Sequence, residues 1–134
     1  YCLYEKENYD KGPSKICMRF SEDGGLMWSE EVILIENGGD NEPSCLVREY
    51  DGWRLYYSSD KDYPGESYNS ASAYSALLDT DFCHLGEPDE KVDMKENMGV
   101  RLYEVKKKDD RLYFMFAHNY MTDKDFVLRS VEMD

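Results

Sequence analysis

The sequence predicts an all-β protein in which short antiparallel strands return in repeated units. Residues 51–57 read Asp-Gly-Trp-Arg-Leu-Tyr-Tyr and residues 109–114 read Asp-Asp-Arg-Leu-Tyr-Phe, so both place an acidic turn before Arg-Leu-Tyr. The Asp51-Gly52 pair favours a tight hairpin turn because glycine tolerates a positive φ. The same segments are rich in aromatic and β-branched residues, which favour strands. No stretch keeps the apolar period of about 3.6 residues that a helix requires.

The repeat divides one β domain, residues 1–134, into three units. An acid–Asn pair opens the second and third units, at Asp40-Asn41 and at Glu96-Asn97. The units cover residues 1–38, 39–94 and 95–134. We expect strands near residues 1–6, 14–20, 31–36, 44–50, 53–59, 69–77, 82–85, 99–106, 111–118 and 125–132.

Four antiparallel strands in a unit of about 45–55 residues are typical of a propeller blade. Propellers close with about four to eight blades, whereas this chain supplies about two and a half to three. We therefore expect the ring to be closed by missing blades, if the chain is a piece of a longer protein, or by self-association. A β-sandwich is the structural alternative.

Residues 21–28 fit the pattern Ser-x-Asp-x-Gly-x-x-Trp, with Ser21, Asp23, Gly25 and Trp28 at the fixed positions. The pattern has a physical basis, since an Asp can bind turn amides, a Gly permits an unusual φ and a Trp anchors the turn. It resembles the Asp-box, or bacterial neuraminidase repeat, of sialidases and related propeller proteins. In that family the box is structural, so the resemblance implies the architecture and does not assign a catalytic residue.

Residues 43–59 are similar to inner-blade segments of five-bladed glycosidases such as glycoside hydrolase family 43. Together the two resemblances span nearly the whole chain, although only residues 21–28 form a sharp motif. They imply a sialidase-like or family 43-like enzyme that hydrolyses oligosaccharides by acid/base catalysis. The sequence does not choose between these two families, and it gives no linkage stereochemistry.

The candidate catalytic residues are carboxylates near the predicted starts of the inner strands. In the families named above, these strands begin near a central funnel that binds substrate. Glycosidases use two carboxylates, one of which acts as an acid with a raised pKa. Glu42 is the first candidate for the acid because Pro43 fixes the strand entry behind it. Asp40 and Glu96 are candidates for the base or for tuning the acid.

The same strand starts supply candidates for substrate binding: Asn41, Asn97 and Arg101. Trp53 is a further candidate, because an indole ring can stack on a sugar, although core packing also explains it. A sialidase would additionally need clustered arginines for the substrate carboxylate. Arg19, Arg48 and Arg101 are available, but surface or cross-strand ion pairs explain all three more simply.

The formal net charge of -13 argues against nucleic acid as a partner, because a phosphate backbone is bound by Lys and Arg. An acidic funnel instead suits a neutral oligosaccharide, or a cation such as calcium, and we expect no other cofactor and no metal centre. No apolar run approaches the roughly 20 residues of a membrane-spanning helix. We therefore expect no membrane partner, and the sequence leaves open a secreted or a cytoplasmic location.

The cysteines are scattered, at Cys2, Cys17, Cys45 and Cys83, and form no CxxC pair, which argues against zinc. Cys2 and Cys17 could face each other across the first hairpin, as a disulfide or as free thiols. Two other functions remain open beside hydrolysis. One is a non-catalytic propeller that binds glycans, since one fold hosts both. The other is a small acidic domain that binds or inhibits a basic protein.

Overall fold

The computed structural model describes residues 1–7, 13–63, 71–86, 89–92, 99–118 and 125–132. This part of the chain forms strands and no helix, so the all-β prediction is confirmed. The strands are β1 (Cys2–Lys6), β2 (Lys15–Arg19), β3 (Val32–Ile35), β4 (Asn41–Arg48), β5 (Trp53–Ser59), β6 (Ser72–Leu78), β7 (Glu90–Lys91), β8 (Arg101–Lys108), β9 (Arg111–His118) and β10 (Asp125–Glu132). The described residues contain no helix that is long and apolar enough to cross a membrane.

The strands form three antiparallel sheets, each following the order of the chain. Sheet I is β1-β2-β3, sheet II is β4-β5-β6-β7, and sheet III is β8-β9-β10. Every pairing joins neighbours in sequence, as hairpin-connected strands do. The architecture is therefore three separate sheets, not the two sheets of a sandwich, and the sheets do not close into a barrel.

Sheet II lies between the other two sheets and buries both of its faces. Leu55 and Tyr57 point from β5 into a core shared with Ile16 and Met18 of sheet I. Tyr56, which lies between them, points into the opposite core. That core contains Val47, Ala73, Val100, Leu102, Val105, Phe114 and Phe116. The alternation follows from the two-residue period of a strand, and each fully buried large apolar side chain contributes about 1.5–3 kcal/mol.

The observed strands differ most from the prediction at the start of β4 and at the last strand of sheet II. β4 begins at Asn41 and not near residue 44, so Asn41 and Glu42 lie inside the strand. The last strand of sheet II is Glu90–Lys91, whereas the predicted strand at 82–85 contributes only the single bridge of Leu78 to His84. The Asp79 carboxylate accepts the N–H groups of residues 81 and 83, at 2.8 and 2.9 Å, and bends this segment into a turn.

The first hairpin does not bring Cys2 and Cys17 together. Cys2 lies opposite Arg19, and Cys17 lies opposite Tyr4, so the register separates the two cysteines by two positions. All four cysteines are free thiols. Cys17 is fully buried, because it lies in the central strand of sheet I.

The turn between β2 and β3 is organised by Asp23. One of its carboxylate oxygens accepts the N–H groups of Leu26 and Met27 at 3.0 and 2.9 Å, and these bonds lower the pKa of Asp23. Gly25 has a φ of 95°, which glycine adopts more readily than other residues. The Trp28 indole N–H donates to the Gly25 carbonyl at 3.0 Å. Residues 21–28 thus form a hydrogen-bonded turn at the outer side of sheet I.

Candidate functional site

Carboxylates from two sheets meet at one end of the molecule. β1 ends and β2 begins at this end, because Lys6 lies opposite Lys15. β4 also begins here, and it lies beside β8, which begins at Arg101. We call the group of Glu5, Glu7, Asp40, Glu42 and Arg101 the acidic end.

Glu42 and Arg101 form an ion pair across the contact between sheets II and III. The Arg101 guanidinium donates to a Glu42 carboxylate oxygen. Only 8% of Glu42 is exposed, and burial raises the pKa of its carboxyl group, although the Arg101 charge acts in the opposite direction. The sequence predicted both residues as site residues, and the structure brings them together.

Asp40 and Asn41 are held by Ser14 of sheet I. The Ser14 hydroxyl donates to Asp40 Oδ1 at 2.9 Å, and the Asn41 backbone N–H donates to the Ser14 hydroxyl at 2.6 Å. The Asn41 side-chain amide donates to the carbonyls of Ser14 and Gly39, and to the Asn37 side chain. Asn41 is fully buried. Its amide hydrogens therefore join sheets I and II and are not directed at a substrate.

Glu5 is a site residue that the sequence prediction missed. Oxygens of Glu5, Glu7 and Asp40 lie within 4.8 Å of one another. Burial, together with a hydrogen bond to Asp40 and the charges of Asp40 and Glu42, raises the pKa of Glu5 to about 8. These causes favour the protonated form of Glu5 at neutral pH. The alternation of Leu3, Glu5 and Glu7 would have placed Glu5 on the face towards sheet II.

The other predicted site residues do not join this group. Trp53 begins β5 at the opposite end of sheet II, where it stacks on Phe82 at 5.5 Å between ring centroids. The Arg48 guanidinium lies 4.9 Å from the Trp53 ring. Glu96 and Asn97 lie outside the described residues.

The three arginines considered for a sialic acid site are separated. Arg19 ends β2 opposite Cys2, which is the far end of sheet I from the acidic end. Arg48 lies at the Trp53 end of sheet II. Of these three, only Arg101 reaches the acidic end, and its guanidinium contacts Glu42.

A second polar group lies between sheets I and II. The Tyr57 hydroxyl donates to Asp89, and His84 Nε2 lies 2.7 Å from the other oxygen of the same carboxylate. The Asp89 side chain is 5% exposed. His84 and Asp89 border a cavity of about 270 Å³ that is also lined by Lys61 and by residues 33–37. No local sequence pattern predicts this group, because Tyr57 lies in β5 and Asp89 lies 32 residues later, just before β7.

Comparison with family models, with curated proteins and with solved structures gives no match. The described residues offer one group suited to a cation, the oxygens of Glu5, Glu7 and Asp40. Carboxylate oxygens are the ligands that calcium prefers. The proton carried by Glu5 competes with a cation at this position, so the arrangement equally suits proton transfer.

Proposed function

We propose that the chain is part of a β-propeller that hydrolyses oligosaccharides at the acidic end, as glycoside hydrolases do. The stacking of sheets supports the propeller, because sheet II is covered on both faces by sheets of the same strand order. The first strands of sheets II and III, β4 and β8, lie side by side. Further blades, or other copies of the chain, would complete the ring.

The pairing of Glu5 with Asp40 carries the catalytic part of the proposal. Glycosidases need one carboxyl group that is protonated and one that is ionised. Burial and the neighbouring carboxylates raise the pKa of Glu5 to about 8, which suits an acid at neutral pH. Oxygens of Glu5 and Asp40 lie within 4.8 Å of each other. Retaining enzymes hold their two carboxyl groups about 5–5.5 Å apart, so a sugar bound between Glu5 and Asp40 would have to move them apart.

The remaining charges at the acidic end support distinct roles. Glu5 is the acid, and Asp40 is the nucleophile or base. Glu42 was the first candidate for the acid, and burial raises the pKa of its carboxyl group, but the Arg101 guanidinium that contacts it acts in the opposite direction. We assign Glu42 to positioning Arg101 and to raising the pKa of Glu5 through its negative charge.

The substrate in this proposal is a neutral oligosaccharide. The acidic end holds four carboxyl groups and a single guanidinium, which is already paired with Glu42, so a sugar carboxylate would be repelled. A sialidase-like substrate is therefore disfavoured, although residues 21–28 resemble the Asp-box of that family. The turn at residues 21–28 supports the propeller architecture and contributes nothing to the choice of sugar.

The test uses two kinds of substrate with the same set of variants. Asp40→Asn is expected to lower hydrolysis by about 100-fold or more on both nitrophenyl glycosides and oligosaccharides. Glu5→Gln is expected to lower it strongly on oligosaccharides and less on nitrophenyl glycosides, because nitrophenolate leaves without an acid. Glu22→Gln, in the outer turn, is the control and should retain full activity.

Other outcomes of this test lead to other functions. Glycan binding by calorimetry without turnover would support a non-catalytic carbohydrate-binding propeller. Activity that survives both Asp40→Asn and Glu5→Gln would reject the acidic end as the catalytic site. Light scattering on the same preparation gives the solution mass, and so shows whether the assayed form is self-associated.

A further inference from the structure

The cavity beside His84 and Asp89, with a volume of about 270 Å³, shares no residue with the acidic end. One part of its lining is apolar and comes from residues 33–35 of β3. The rest is polar and includes the ionisable side chains of Glu36, Lys61, His84 and Asp89. Pockets for drug-sized ligands usually occupy about 300–1,000 Å³, so this cavity suits a smaller molecule.

Ion pairs account for all but one of the charges in this lining. The Asp89 carboxylate lies 2.7 Å from His84 Nε2, and the Glu36 carboxylate lies 2.7 Å from the Lys15 ammonium. Lys61 differs from these residues. In the part of the chain that the structure describes, no carboxylate lies within ion-pair distance of the Lys61 ammonium. Lys61 is therefore the surplus charge at the cavity.

The contacts of Lys61 hold it at this position. Its backbone N–H donates to the Ser59 hydroxyl at 3.1 Å, and the chain at Gly39 packs so closely that a Cβ there would lie 2.8 Å from Lys61 Cα. The ammonium lies 4.4 Å from the centroid of the Tyr74 ring. The neighbouring Asp62 carboxylate accepts the Tyr74 hydroxyl at 2.6 Å and does not pair with Lys61. The cation is thus placed at the cavity before any ligand binds.

A half-buried ammonium without a counter-charge is unfavourable, because burial removes water from the charge. The chain has 29 acidic residues for 16 basic ones, so the absence of an acidic partner for Lys61 is not due to a shortage of carboxylates. Asn37 adds a neutral donor to the same lining. Its Oδ1 accepts the Gly39 N–H and the Asn41 amide, and its NH₂ group donates to no described residue. An anion in the cavity would meet both a cation and an amide donor.

We propose that this cavity binds a small organic carboxylate, such as a short-chain fatty acid. The carboxylate lies at Lys61 and Asn37, and the apolar body lies against Leu34 and Ile35 of the lining. A dianion such as phosphate is disfavoured, because the Asp89 and Glu36 carboxylates border the same cavity and phosphate has no apolar group to bury. The site is separate from the acidic end, so the proposal does not depend on hydrolysis of sugars.

The test follows the imidazole signals of the two histidines by NMR during titration with butyrate, at constant pH and ionic strength. His84 lines the cavity, whereas His118 ends β9 in sheet III and serves as the internal reference. Butyrate should shift the His84 signals to saturation and leave the His118 signals unchanged. Acetate, which lacks two methylene groups, should bind about tenfold more weakly. Inorganic phosphate should bind more weakly than butyrate, and chloride should give no saturable shift.

Protein variants complete the design. Lys61→Met should weaken butyrate binding by about tenfold or more, and Lys61→Arg should retain it because the charge is kept. Lys107→Met removes an exposed charge near the tip of the β8–β9 hairpin and should leave binding unchanged. Glu5→Gln should also bind butyrate normally, so a failure of the proposed hydrolysis is distinguishable from a failure of this site.

Three results would overturn the proposal. The first is binding that survives Lys61→Met, or that Lys107→Met weakens to the same extent. The second is a shift of the His118 signals that follows that of His84, because the anion would then act on the whole protein. The third is phosphate or chloride binding as tightly as butyrate, which would show that the cavity does not select an organic carboxylate.

Discussion

The Cys45 thiol lies 3.3 Å from both the backbone nitrogen and the carbonyl oxygen of Val105. It accepts a hydrogen bond from the N–H and donates one to the carbonyl, so a side chain of β4 satisfies the backbone of β8. The hydroxyl of Ser58, in the neighbouring strand β5, likewise accepts a hydrogen bond from the Leu102 N–H of β8, at 2.8 Å. β4 and β8 therefore lie side by side as members of different sheets, joined through side chains and not through a backbone ladder.

The burial of the four cysteines predicts two classes of thiol reactivity. Burial raises the pKa of Cys17 and of Cys45, so both should react slowly with a thiol reagent. Cys2 and Cys83 are exposed free thiols and should react rapidly. Titration with Ellman's reagent at pH 8 should show two fast thiols, and the other two should appear only on unfolding. The double variant Cys2→Ser/Cys83→Ser should lose the fast phase, and a third fast thiol in the native protein would contradict the structure.

Glu5 predicts a stability that rises as the pH falls. Its folded pKa of about 8 lies above the ordinary value of 4.5, so proton uptake favours the folded state. The stabilisation is complete below about pH 4.5 and is lost as the pH rises through about 8. After allowance for the solvent exposure of the side chain, we expect an effect on the order of 1–2 kcal/mol.

Urea unfolding between pH 5.5 and pH 8.5 measures this effect. Glu42, whose pKa is also raised, contributes in the same direction, so the informative quantity is the difference between the native protein and Glu5→Gln. That difference should change with pH, and the corresponding difference for Glu22→Gln should not. A difference for Glu5→Gln that stays constant across the range would show that Glu5 does not titrate there.

The ion pair of Glu42 and Arg101 predicts strong coupling between the two positions. Arg101→Met leaves a carboxylate that is 10% exposed without its guanidinium, and we expect a loss of about 3 kcal/mol in unfolding free energy. Glu42→Gln should lose less, and the double variant Glu42→Gln/Arg101→Met should lose less than the two single variants together. Arg111→Met, which removes an exposed contact with Ser130, is the control and should change stability by under about 0.5 kcal/mol. Additive losses would exclude a direct interaction.

Local signals in the sequence were sufficient for most of the strands. Turn chemistry and a two-residue period located β5, β9 and β10 within a residue of the observed bounds. The segment at 82–85 was assigned wrongly, because Asp79 bends it through side-chain bonds that a strand pattern does not reveal. The position of sheet II between the other two sheets could not be predicted. Alternation of apolar and polar residues along a strand predicts that one face is buried, but it does not indicate which sheet covers that face.

Of the residues at the acidic end, the sequence predicted only those that lie near the start of a strand. Asp40, Glu42 and Arg101 were chosen as candidates because they lie near the predicted starts of strands, and they do lie at or close to the starts of β4 and β8. Glu5 was missed because it lies near the end of β1 and not at the start of a strand, and its proximity to Asp40 depends on how sheet I packs on sheet II. Trp53 was predicted as a site residue from its residue type alone. Because it begins β5, opposite the end of β4, it lies at the other end of sheet II from the acidic end.

Gly52 was predicted to be a turn glycine, but the structure gives a different physical reason for a glycine at this position. The sequence suggested a positive φ, yet Gly52 is not among the residues with a positive φ. Its role is close approach: a Cβ at this position would lie 2.1 Å from the Leu78 carbonyl oxygen and 3.0 Å from the Asp79 backbone. These are backbone atoms of the neighbouring strand, so they cannot move aside as a flexible side chain would.

We therefore expect Gly52→Ala to lower the unfolding free energy by about 2–3 kcal/mol, at the upper end of ordinary overpacking. Asp51→Ala alters the same turn at an exposed side chain and should change stability by no more than about 0.5 kcal/mol. Urea unfolding of both variants gives the comparison. If Gly52→Ala is as stable as the native protein, the hairpin of β4 and β5 does not approach Leu78 as closely as described.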